Sequence, residues 1–91
     1  MKTDTKESAL KRLARIEGQV RGIVKMLEEN RYCIDVLHQI QAVKSAIRRA
    51  ESEILKDHAN SCISEAIETG DANAQREKIS ELIDLFERLK R

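Results

Sequence analysis

Apolar residues recur every three or four positions along most of this 91-residue chain, the spacing that lines one face of a helix. From about residue 5 to 29, Leu10, Leu13, Ile16, Val20, Ile23, Val24 and Leu27 keep this register and predict a first helix. Gly18 and Gly22 lie four apart within it. A glycine costs about 1 kcal/mol in a helix interior, so the pair predicts close approach by a neighbouring helix. Asn30 and Arg31 break the register. A second helix is predicted from about residue 32 to 68, where neither glycine nor proline forces a stop. Its stripe is Ile34, Leu37, Ile40, Val43, Ile47, Ala50, Ile54 and Leu55. Thr69, Gly70 and Asp71 read as a helix end and turn. A third helix follows over about 73–89, carrying Ile79, Leu82, Ile83, Leu85, Phe86 and Leu89.

The second helix is too long for a lone small globule. Thirty or more residues make a rod of about 45–55 Å, against a radius of gyration near 12–13 Å for a compact chain of this size. Its stripe therefore calls for a partner. Length fits one domain, residues 1–91, with a core too modest to exclude help from other chains. The absence of proline and the low glycine count agree with an all-α fold. No apolar run approaches the roughly 20 residues of a membrane span, and the N-terminal stretch has no signal-peptide core. These features point to the cytoplasm and to no membrane partner. Thiols stay reduced there, so two cysteines suggest metal or redox chemistry before a disulfide.

The two thiols are far apart. His58 and Cys62, in HANSC, stand at i and i+4 and share a helix face. Cys33 precedes His58 by 25 residues, about 37 Å along a straight helix. The three cannot meet within one chain, but they meet between two copies whose second helices pack antiparallel. The crossing point falls near Ala46 and Ile47, with Val43 and Ala50 a turn to either side, and two-fold symmetry yields two equal sites. Two thiolates and an imidazole suit three-coordinate Cu(I), whereas Zn(II) wants a fourth ligand. The plain alternative is that both cysteines are small buried apolar groups and His58 a surface residue.

The stretch RLARIEGQVRGIVKMLEENRYCIDVLHQIQAVKSAI, then HANSC and ETGD, resembles the copper-sensing repressor family (CsoR/RcnR type) of bacterial transcription regulators. The likeness runs from about Leu10 to Phe86. It implies three helices per chain, an antiparallel helical-bundle dimer and a disc-shaped tetramer made of two dimers. It also implies a homotetrameric repressor, not an enzyme, that binds double-stranded operator DNA without a helix-turn-helix. Effector binding would release the operator and switch on efflux or detoxification genes. The copper branch implies Cys33 from one chain and His58 and Cys62 from its neighbour as Cu(I) ligands. It further implies supporting roles for Tyr32 and for Glu81, which would accept or relay the histidine's second N–H.

Charge is uneven beneath a net +1. Residues 1–31 carry eight Lys/Arg against five acids, and residues 63–91 five against seven. Lys11, Arg12, Arg15, Arg21 and Lys25 load the first helix, and Lys44, Arg48 and Arg49 the middle of the second. Lys and Arg supply phosphate contacts, and the family resemblance singles out Arg12 and Arg49 for DNA. Read without it, most of these charges are solvated helix faces. One Tyr and one Phe do not make a stacking platform for single strands.

Other effectors fit less well by the same resemblance. Residues 1–10 hold no histidine of the kind nickel or cobalt sensors add. Lys2 stands where formaldehyde sensors carry proline. Persulfide sensors keep both cysteines but lack the histidine. Persulfide sensing is still the second choice, because sulfur could bridge Cys33 and Cys62 across a dimer. A helical adaptor with incidental cysteines would bind neither metal nor DNA. An enzyme is disfavoured: Cys33 and His38 fall on different helix faces, and no oxyanion motif is visible.

Overall fold

The structure is a computed structural model that describes residues 1–89. It contains α1 (Thr3–Glu28), α2 (Cys33–Thr69) and α3 (Ala72–Leu89), with no strand among the described residues. The predicted ends lie within two residues of these bounds. None of the helices is long and apolar enough to cross a membrane.

Each break has a local cause. At the end of α1, Asn30 adopts the left-handed φ of 56°. The Arg31 N–H then donates to the Met26 carbonyl at 2.9 Å and the Asn30 N–H to that of Leu27 at 3.2 Å. This paired closure satisfies carbonyls that the helix would leave open. After α2, Gly70 takes the left-handed φ of 65°, and the Thr69 hydroxyl donates to the Ala66 carbonyl at 3.0 Å. Asp71 then starts α3: its carboxylate accepts the Asn73 N–H at 3.0 Å, as a helix-capping side chain does. From Cys33 to Thr69 nothing interrupts the helix, and α2 runs for 37 residues.

The chain divides into two compact units that share α2, one over Lys2–Ile54 and one from Leu55 onward. In the first unit the buried residues step by seven: Ala9 and Ile16 on α1, Val36, Val43 and Ala50 on α2. That repeat is the seam of a helix pair. It corrects the expected stripes. Val36 was not among the stripe residues, yet it is buried, while Leu10, Leu13, Val20, Val24 and Leu27 on α1 and Ile34, Leu37 and Ile47 on α2 are exposed. The apolar positions are too many for one seam, so each helix carries a buried stripe and an open one. In the second unit Cys62 and Ala66 are buried, together with the carboxylate-bearing Asp57. Ile63, Ile67, Ile79, Ile83 and Phe86 stay exposed.

The glycine pair does not receive a helix within the chain. A Cβ on Gly22 would meet nothing within 4 Å, and one on Gly18 only the end of the Arg21 side chain at 3.8 Å. The seam of α1 passes through Ala9 and Ile16, and residues 18 and 22 fall to one side of it. Val43 and Ala50, expected near a crossing of two chains, are instead spent on the intrachain seam. Ile47 is the exposed apolar residue of that neighbourhood.

Candidate metal centre and nucleic-acid interface

His58 and Cys62 lie one turn apart on α2, in the second unit. Cys62 is buried and its thiol donates to the Lys78 carbonyl of α3 at 3.4 Å. His58 is exposed. Cys33, the first residue of α2, belongs to the other unit and is exposed with a free thiol. Among the described residues, no group of three or more His, Cys, Asp or Glu side chains is gathered tightly enough to hold a metal ion. One chain therefore presents two soft donors side by side and a third elsewhere. Thiol and imidazole are ligand types that soft metal ions accept.

The supporting residues are less advanced. Tyr32 caps α2 through its backbone, its carbonyl accepting the Val36 N–H at 3.2 Å, and the residue is 68% exposed. Glu81 is exposed on α3. Two groups that the sequence did not single out are better placed. Lys78 supplies the carbonyl that meets Cys62, and its ammonium pairs with Glu65 at 2.9 Å. Glu65 is held below the usual carboxylate range, first by the Lys78 hydrogen bond and charge, with a smaller contribution from His58. Lys78 is correspondingly raised, by Glu65 first, then by Glu81 and Cys62. A signal for Glu65 existed: it follows His58 by seven residues and so shares its face.

The first unit holds a groove of about 790 Å³ between α1 and α2. Lys11, Arg12, Arg15 and Arg49 line it, opposed by Asp4 and Glu7. Three of the six expected DNA contacts, Arg12, Arg15 and Arg49, thus converge; Arg21, Lys44 and Arg48 lie outside. Arg12 is partly committed, since its Nε donates to Glu53 at 3.0 Å. Gln19 also lines the groove, and its side-chain oxygen is buried without a hydrogen-bond partner. The apolar character of the flanking pattern gave no cue to this residue.

Residues 5–88 match the family described as metal-sensitive transcriptional repressors. The chain belongs to that family. Its relatives agree. The copper-sensing transcriptional repressor CsoR of Bacillus subtilis is 47% identical over 91% of this chain and 79% of its own length. RicR of Mycobacterium tuberculosis, also a copper-sensing transcriptional repressor, is 49% identical over 79% of this chain and 75% of its own. Among solved structures, the copper-sensing repressor CsoR with Cu(I) from Geobacillus thermodenitrificans superposes with a TM-score of 0.86. It is 42% identical and covers all of this chain and 92% of that one. The nickel-responsive regulator InrS gives 0.76 at 40% identity, over 88% and 90% of the two chains. The metal-sensitive repressors are transcription regulators and not enzymes, which agrees with the sequence reading.

Proposed function

We propose that this chain is a Cu(I)-responsive repressor that holds operator DNA when metal-free and releases it when copper is bound. The observation that carries the copper site is the unbroken α2, which begins at Cys33 and runs past Cys62. Seven helical turns are about 25 residues and eight are about 29. The sequence spacings of 25 and 29 residues from Cys33 to His58 and Cys62 thus come close to whole numbers of helical turns. Two such helices, antiparallel, bring the thiol of each to the donor pair of the other. Cys33 of one chain and His58 and Cys62 of its neighbour then hold the ion, in two equal sites. Copper would act there as a soft cross-link between chains.

The exposed apolar stripes of α1 and α2 support the dimer, because surfaces of this kind mark contact sites. A second pairing of dimers gives the tetramer. Arg12, Arg15 and Arg49 in the groove, with Arg21, Lys44 and Arg48 beyond it, form the proposed surface for operator phosphates. Tyr32 and Glu81 would orient His58 once the neighbouring chain is present. Metal and DNA then oppose one another through a reciprocal coupling. Residues 1–91 act in this reading as one sensing domain.

Competition against a tight Cu(I) chelator tests the site. The expected result is tight binding near one ion per chain, lost in Cys33→Ala and in His58→Ala. A gel shift on the DNA upstream of the protein's own operon should show a complex that copper dissolves. Sulfide-dependent cross-linking of chains without copper affinity would instead favour persulfide sensing.

A further inference from the structure

The α2–α3 contact beside Cys62 holds a cation that the three-donor site does not use. Lys78 meets α2 twice. Its carbonyl accepts the Cys62 thiol at 3.4 Å, and its ammonium pairs with Glu65 at 2.9 Å. Lys78 is thereby anchored at Cys62, the one donor of the site that is buried, with its ammonium held on Glu65, three residues further along α2. The Cys62 sulfur and the Glu81 carboxylate both favour that charge.

The bound ion decides whether such a cation matters. On metal binding each thiol gives its proton to solvent, so two thiolates and a neutral imidazole bring two negative charges. A monovalent ion leaves the complex at minus one; a divalent ion leaves it neutral. Net charge at a buried sulfur is costly unless an opposite charge stands near. Without the ammonium, the Glu65 and Glu81 carboxylates would stand near the sulfur uncompensated, so Lys78 offsets local negative charge even while it is paired.

We propose that Lys78 is a specificity-determining residue of the metal site, the counter-cation that matches it to a monovalent rather than a divalent ion. The inference rests on the Cys33–His58–Cys62 site proposed above. It adds a device in which the third helix sets the charge that the site accepts, independently of donor softness.

The test uses the full chain with Lys78→Met, which keeps the aliphatic stem, and Lys78→Arg, which keeps the charge. Cu(I) and Zn(II) affinities are measured by competition with chelators for each metal, and circular dichroism confirms that each variant is helical. Lys78→Met should weaken Cu(I) roughly tenfold and leave Zn(II) within about threefold, a loss at the lower end for groups beside metal ligands. Lys78→Arg should keep Cu(I) within about threefold of the parent. Equal weakening of both metals would reduce Lys78 to a packing contact, and no change in either would make it a surface ion pair; both outcomes overturn the proposal. Cys62→Ser separates the two levels. If the parent binds Cu(I) no better than Cys62→Ser, the site itself is wrong, whatever Lys78 does.

Discussion

Glu65 and Lys78 tie α2 to α3 through charges that solvent reaches, so pH should read their contribution. A carboxyl whose folded value is lowered stabilises above its ordinary range, and that stability is lost as pH falls through the lowered value. An ammonium whose folded value is raised stabilises below its ordinary range and is lost as pH rises through the raised value. Glu65 is lowered, chiefly by the Lys78 hydrogen bond, and Lys78 is raised, chiefly by that of Glu65. The thermal unfolding difference between the parent and Glu65→Gln should therefore stay level from about pH 5 to pH 10 and vanish in stronger acid. A difference that grows as the solution becomes acidic would contradict the assignment. Ile16 is the packing counterpart: it is 7% exposed on the α1 seam. Ile16→Ala should cost about 2–5 kcal/mol in urea unfolding. His58 and Cys62 were legible in the sequence because i,i+4 spacing alone puts two donors on one face. Lys78 was not, because its partners depend on how α3 folds back after Gly70, which helix periodicity does not determine.

Among the elements, the turns carry the clearest expectation. Gly70 holds a left-handed φ that a Cβ disfavours by roughly 1–2 kcal/mol. Gly70→Ala should lower the urea midpoint accordingly, and Asn30→Gly should leave it level or raise it. A neutral Gly70→Ala would mean that the α2–α3 turn relaxes freely. Helix number and bounds were readable because the sequence breaks only at Asn30–Arg31 and Thr69–Asp71. Which apolar stripe is buried was not readable. Both stripes of α1 and α2 have helical spacing, and only the pairing of helices selects Val36 over Ile34 or Leu37. Gly18 and Gly22 announce a smooth face by their spacing, and among the described residues no helix of this chain approaches it.

For the whole molecule, exposed apolar side chains on all three helices imply that folding and association are linked. Stability should then rise with protein concentration, since mass action favours an associated native state. A melting temperature unchanged over a hundredfold dilution would argue for an independent monomer. In the proposed function each metal site is shared between two chains. Complementation tests it directly. Cys33→Ala chains lack one donor, and His58→Ala/Cys62→Ala chains lack the other two, so neither forms a whole site alone. Unfolded together and refolded as mixed dimers, they should regain tight Cu(I) binding at about one ion per four chains, the statistical yield of one intact site in each heterodimer. If the mixture binds no more copper than its two components do separately, the shared site does not exist.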